Sequence, residues 1–359
     1  ALAAVGSSYT LMTFLTSILL GMCMGSGAAF SIWYGQKDRK RLKEGMVHAF
    51  GLIAAVTIVL NVLVFAGLPL ILRLLQVPTG VTSYMEEYLK IIFAGISATF
   101  LYNYYAALLR AIGNSVVPLV FLGVSAVLNI ILDFLFVFTF QRGVGGAAEA
   151  TVIAQFVSGI GIAFYTQKYF PELRVSLKEI HFKGKMLNEI AGFSFLTCMQ
   201  QSIMNFGILM VQGLVNSFGP VVMAAFAAAV KIDSFAYMPV QDFGNAFSTF
   251  IAQNYGAKKF ERIQKGIKSA VMTSVLFCVV ISGAVFIFAE PLMKIFVSGA
   301  EKEIISVGVE YLRIEGSFYF GIGILFLLYG LYRAVKLPGM SVVLTILSLG
   351  TRVALAYGL

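Results

Sequence analysis

Charge is scarce in this chain. Only 12% of its 359 residues are Asp, Glu, Lys or Arg, half of the roughly 25% found in a soluble domain. That excludes an ordinary water-soluble enzyme and a charge-rich disordered chain. Histidine is scarcer still: His48 and His181 are the only two, which leaves little for a metal centre or a nucleophile–base pair. Cys23, Cys198 and Cys278 stand far apart inside apolar runs, giving neither a disulfide framework nor a zinc spacing. No Gly-x-x-x-x-Gly-Lys-Ser/Thr stretch occurs, and Gly143-Val144-Gly145-Gly146-Ala147-Ala148 has no strand before it. Direct ATP drive and a nucleotide turn are therefore not expected. No cofactor is expected either.

What the chain has instead is apolar sequence. Hydrophobic residues make up 59% of it, and its mean hydropathy is +0.89. A helix needs about 20 apolar residues to cross a bilayer. Ten such segments can be drawn, at 9–34, 47–72, 88–110, 116–140, 145–167, 187–216, 222–255, 268–290, 306–332 and 337–359. No window alternates with period two, so a β-barrel is not expected. The fold class is an all-α polytopic membrane protein.

The formal net charge of +9 reads as loop charge, not as a nucleic-acid surface. Lys37, Arg39, Lys40, Arg41 and Lys43 crowd one connection, and only Arg73 marks the next. Lys168, Arg174, Lys178, Lys183 and Lys185 crowd another, as do Lys258, Lys259, Arg262, Lys265 and Lys268. Phe218-Gly219-Pro220 between them has no positive charge. Basic loops face the cytoplasm, so residue 1 is expected outside.

The chain also repeats itself. Tyr34-Gly35-Gln36-Lys37 through Arg41, Gly45 and Ala49 recurs as Tyr255-Gly256-Ala257-Lys258 through Arg262, Gly266 and Ala270, at an offset of 221. Arg110-Ala111 recurs as Arg333-Ala334, at 223. Six crossings separate the copies, so both face the same way, as in a parallel repeat. The expected domains are an N-lobe at 1–167, a cytoplasmic linker at 168–186 and a C-lobe at 187–359. The segment 187–216 has no first copy and 145–167 has no second. A complete protein is then expected to have twelve spans in two lobes of six, this chain carrying about ten, spans two to eleven.

At these residues the chain resembles the MATE family (multidrug and toxic compound extrusion). The resemblance rests on Ala3-Ala4-Val5-Gly6, Tyr34-Gly35-Gln36, Arg110-Ala111-Ile112-Gly113-Asn114 with Pro118, Gly145-Gly146-Ala147-Ala148 with Ala150-Thr151, Gln200-Gln201, and Gln253-Asn254-Tyr255-Gly256-Ala257. It covers essentially the whole chain in order. It implies two six-helix lobes around a central cavity, the MATE/MOP fold. It also implies export of organic compounds, often lipophilic cations, driven by inward Na⁺ or H⁺. A multi-pass monomer in the bacterial inner membrane follows from the same resemblance. The pattern is closer to the DinF-like than to the NorM-like branch, because the seventh span carries Gln200 and Gln201 where an acid is expected, and the tenth has Glu315 only near its outer end. That moves the expected coupling site to the N-lobe.

Asp133 is the leading candidate for that site. It lies eight residues before Gln141 in an apolar run, about 12 Å deep at 1.5 Å per residue. A charged Asp there costs on the order of 3 kcal/mol. It either meets an ion or proton, or sits protonated and hydrogen-bonded in the bundle. Asn129 is one turn earlier on the same face, and the two side chains supply hard oxygen ligands suited to Na⁺. In the resemblance, Asn129 and Asp133 match the cation site, and Thr151 and Asn103 match further polar members. For Thr151 and Asn103 the alternative is interhelical hydrogen bonding.

Gln200, Gln201 and Asn205 could line a substrate cavity, with Tyr102, Tyr105 and Tyr237 as aromatic walls, because organic cations favour aromatic faces. Asp242 is a candidate contact for a cationic substrate. Asp233 reads as hydrogen-bonded, Lys231 as snorkelling, and Arg352, which lies near the repeat counterpart of Asp133, as a partner for an acid. The rival reading from another substrate class is a lipid-linked saccharide flippase, against which the few buried positive charges argue. A membrane-embedded enzyme and a channel are the remaining alternatives.

Overall fold

A computed structural model describes the backbone of residues 2–74, 79–175 and 183–358 and, within these, side chains other than those of 2–11, 71, 73, 74, 79–81, 209 and 216. Arg73, Lys178, His181 and the side chains of Ala3-Ala4-Val5 fall outside that set. Twelve α-helices are described: α1 Leu2–Gly35, α2 Arg39–Leu74, α3 Thr79–Ala94, α4 Ile96–Ala111, α5 Val116–Asp133, α6 Gly143–Tyr169, α7 Gly184–Ser217, α8 Pro220–Gly256, α9 Phe260–Phe296, α10 Lys302–Gly316, α11 Tyr319–Ala334 and α12 Pro338–Gly358. Among the described residues there is no strand. That is what apolar runs without period-two alternation produce where lipid offers the backbone no hydrogen bonds.

Seven of these segments are long and apolar enough to cross a membrane: α1 from Met12, α2, α5 with its extension to Thr139, α6, α8, α9 and α12. Two helix pairs pass the same test only together, bent at their break, α3 with α4 by 44° and α10 with α11 by 51°, each a broken span or a re-entrant loop. The drawn segments 88–110 and 306–332 thus each contain a break. At Gly95, between α3 and α4, an added Cβ would stand 2.5 Å from the methyls of Val152. Only glycine lets α6 approach the bend so closely. α7 is helical over 34 residues, but Gln200, Gln201 and Asn205 dilute its apolar character and it is not among the seven.

Packing divides the chain into two compact units, 1–202 and 203–359. In the first, α1 crosses the start of α7 at small residues. Ser26 and Ser194 hydroxyls share a hydrogen bond of 2.8 Å. A Cβ on Gly21 would come within 2.6 Å of Cys198 Cα, and one on Gly25 would overlap the Phe193 carbonyl. At the head of α7, the Lys183 N–H donates to His48 Nε2 at 2.9 Å. Lys183 also pairs with Glu44 at 2.6 Å, and Arg41 with Glu189 at 2.5 Å. His48 is buried on α2, where its ring fastens the head of α7.

The sequence repeat recurs as backbone geometry. Lys37 (φ 59°) and Lys258 (φ 57°), 221 apart, both take the left-handed conformation. Gly113 (φ 92°) and Lys336 (φ 66°), 223 apart, do the same. The turns close alike: Asp38 N donates to Trp33 O at 3.1 Å and Lys259 N to Asn254 O at 2.9 Å. Small residues also recur at the helix seams. A Cβ on Gly27 would lie 3.3 Å from Ala107 Cβ, and one on Gly330 the same distance from Ser248 Cβ. Such residues let spans pack backbone to backbone.

Candidate functional site

In the first unit, polar groups gather between α4, α5 and α6. Asp133 is the last residue of α5, and the next six residues, Phe134–Thr139, wind as a π-helical stretch. Such insertions recur at functional sites because they displace the hydrogen-bond ladder. Asn129 Nδ2 donates a long bond of 3.4 Å to Thr151 Oγ1. Thr151 in turn donates to Ala147 O on its own helix at 3.0 Å. Asp133 Oδ1 is shielded from solvent and, among the described residues, accepts no hydrogen bond. A buried carboxylate oxygen without a donor is costly by about 1–3 kcal/mol or more. A proton or a hard cation there would relieve that cost. Tyr88 on α3, itself buried, lies within electrostatic range of the carboxylate.

The structure therefore brings Asn129 to Thr151, with Asp133 one turn away. It does not bond Asn103 to them: Asn103 Nδ2 donates to Thr99 O on its own helix at 2.8 Å. Thr99 ties α4 to α6 by donating to Gln155 Oε1 at 2.6 Å. Gln155, one turn beyond Thr151, is a polar neighbour that the sequence reading did not single out, although the four-residue spacing signals it.

The substrate candidates are distributed over both units. Tyr102 donates to Pro118 O at 3.0 Å, and Tyr105 stands edge-on to Tyr104 at 5.2 Å. Gln200 and Gln201 are buried, and neither amide atom of Gln200 has a partner among the described residues. Asn205 is half-buried, and Asp242 is exposed. Tyr237 packs edge-on against Phe326 at 5.2 Å, with its hydroxyl 3.9 Å from Met204 Sδ.

The second unit holds a cluster that sequence reading left dispersed. Tyr319 on α11 donates to the Asp233 carboxylate on α8. Arg352 on α12 pairs with Glu315 on α10 at 3.8 Å. Glu315 acts electrostatically on Asp233 and on Tyr311, and its Oε2 is buried without a partner among the described residues. The faint signal was the repeat: Tyr88 and Tyr311 are 223 apart, each facing the polar group of its unit. Tyr319→Phe is expected to destabilise the protein by about 1–3 kcal/mol, because it strips the donor from Asp233. Thermal unfolding in detergent reads this directly. An unchanged midpoint would mean that the bond contributes nothing to stability.

Among the described residues, no three His, Cys, Asp or Glu side chains group as a metal centre. The MatE family model matches residues 1–135 and 194–358. The chain is 30% identical over 355 residues to the Probable multidrug resistance protein YpnP of Bacillus subtilis (strain 168), spanning 97% of this chain and 77% of that protein. It is 25% identical over 332 residues to the Multidrug export protein MepA of Staphylococcus aureus (strain NCTC 8325 / PS 47), spanning 91% of this chain and 72% of that one. Its backbone is similar to that of a MOP superfamily transporter from Pyrococcus furiosus Vc1 (DSM3638), with a TM-score of 0.93 at 20% identity over 99% of this chain and 80% of that chain.

Proposed function

Because this chain belongs to the MatE family, whose members are transporters and not enzymes, we propose that it exports lipophilic organic cations by antiport against Na⁺ or H⁺. At the coarser level it is a multi-pass membrane protein and a drug-efflux transporter, as its multidrug-export relatives are. The ion, the cationic preference and the residues below are our reading. So are an N-lobe at 1–167, a linker at 168–186, a C-lobe at 187–359, a monomeric state and a bacterial inner-membrane location.

The observation that carries the reading is Asp133 Oδ1, buried and without a donor, one turn from the Asn129 amide. An ion or proton arriving at Asp133 changes the charge of the α5–α6 contact. If one state of the transporter holds the ion better, the ion drives the exchange between states, since coupling requires differential affinity. Asn129, Thr151 and Asn103 are assigned to that coupling site. Gln200, Gln201, Asn205, Tyr102, Tyr105, Tyr237 and Asp242 are assigned to the substrate path, with aromatic faces for the cation. The two lobes are assigned to alternate access between sides.

Glu315 Oε2, also buried and unpartnered among the described residues, favours a second reading in which the α8–α12 acids take the proton. Arg352 already offsets part of that charge, so Asp133 remains first. The saccharide flippase reading is not favoured, since the relatives carry multidrug-export names.

The test is reconstitution of the full-length protein in liposomes with a fluorescent cationic dye, under a Na⁺ gradient and then a pH gradient. Dye is expected to move against one gradient and to stay in place without either. No movement under both would end the antiport reading.

A further inference from the structure

Beginning at Ile232, next to Asp233 of the second polar cluster, α8 and α9 enclose an apolar groove of about 440 Å³. Ile232 and Phe235 of α8 and Ala284, Phe288 and Ile295 of α9 form its walls. Its cause is local: α9 leaves helical geometry at Phe288 (φ −99°, ψ 17°), three residues before Pro291. Proline removes a backbone donor and pushes the preceding turn aside. The last two turns of α9 therefore take a new direction, with Ile295 and Phe296 still facing α8 across the groove.

The groove has a polar end. A second pocket of about 360 Å³ shares Phe296 with it and adds Lys231, Ser298 and Glu301. The Lys231 ammonium sits 5.8 Å from the centre of the Phe296 ring, at the junction of the two pockets. Lys258, Lys259, Arg262 and Lys265 cluster at the opposite ends of the same two helices. Lys231 is the one ammonium among the residues lining the two pockets, at the other end of those helices, where Lys294 and Lys302 also lie and where lysines snorkel toward lipid phosphates. An apolar slot, one ammonium at its mouth and one carboxylate beyond it match a single molecule: an acyl chain, a phosphate and a terminal cation, in that order.

We propose that this groove binds one aminophospholipid, with an acyl chain between α8 and α9, its phosphate on Lys231 and its headgroup ammonium on Glu301. The charge order selects this headgroup. A glycerol headgroup would leave Glu301 without its cation. A choline headgroup would present a cation with no N–H to donate.

The test uses the full-length protein, stripped of lipid in detergent and offered an equimolar mixture of phosphatidylethanolamine, phosphatidylglycerol and phosphatidylcholine with identical chains. Native mass spectrometry then counts retained lipid. Phosphatidylethanolamine is expected to be held above the other two. Lys231→Gln is expected to lower its retention about fivefold, the effect of about one lysine at a membrane surface, and Lys231→Arg to restore it. Glu301→Gln should bring phosphatidylethanolamine down to the level of phosphatidylglycerol. Ala284→Phe, which fills the slot, should lower all three. Equal retention of the three headgroups, or an unchanged count in Lys231→Gln, would mean an ordinary annular lipid and overturn the site. A phosphatidylethanolamine preference that survives Glu301→Gln would overturn the ammonium contact.

Discussion

Asp133→Asn is expected to abolish gradient-driven dye export while leaving the protein folded. The substitution keeps size and shape and removes the one property that matters, a negative charge that a proton or Na⁺ can cancel. Accumulation should fall by the whole coupling factor, on the order of 5–150-fold. Stability should move the other way. Asp133 Oδ1 has no donor among the described residues, so a neutral amide relieves a buried charge, worth about 1–3 kcal/mol. A higher unfolding midpoint together with lost export is the signature of a group kept for function at a cost in stability. Glu315→Gln in parallel separates the two acid sites. Export that persists in Asp133→Asn and vanishes in Glu315→Gln would move the coupling site to the second unit. Export that survives in both would leave neither acid a role.

Gly25→Leu should prevent the first unit from forming. A Cβ at Gly25 would overlap the Phe193 carbonyl, which is backbone and cannot turn aside as a side chain can. The helices would have to part, breaking the 2.8 Å Ser26–Ser194 bond and the contact at Gly21 with Cys198. Overpacking of this kind costs about 1–3 kcal/mol where neighbours yield, and above about 4 kcal/mol where they cannot. Leucine is itself apolar, so insertion into the membrane should be unaffected. Gly51→Leu is the control, since a Cβ there meets nothing within 4 Å. Fluorescence-detected size exclusion should show a sharp peak for Gly51→Leu and aggregate for Gly25→Leu. Matching profiles and midpoints for the two would mean that the α1–α7 crossing yields easily.

Hydropathy located seven of the drawn crossings as single apolar helices and two more as bent pairs, while α7 falls short by the same measure. It missed the bends. In Ile92-Phe93-Ala94-Gly95-Ile96 only Gly95 marks a break, a weak signal on its own; that no larger residue fits there depends on Val152, on another helix. That Asn129 and Asp133 share a helix face was legible from their spacing. Thr151 meets Asn129 across α5 and α6, whereas Asn103 bonds to its own backbone. The cluster of Asp233, Glu315, Tyr319 and Arg352 was not legible. Its members come from four helices, and only folding assembles them.

The duplicated turns bear on how the two halves have diverged. Lys37 and Lys258, and Gly113 and Lys336, keep one conformation in each pair, even where a lysine has to adopt the shape that suits glycine. At the polar centres the copies part company: offsets of 221 and 223 carry Asp133 to Ala354 and Ala356, so the second copy has no acid at that place. Ancestral duplication thus left the joints interchangeable and the charges not. In the second unit the acid Glu315 is instead met by Arg352 from a neighbouring helix. Turns and polar centres have therefore diverged under different constraints: a turn is kept by the backbone shape it must close, a buried charge only by the partner it meets.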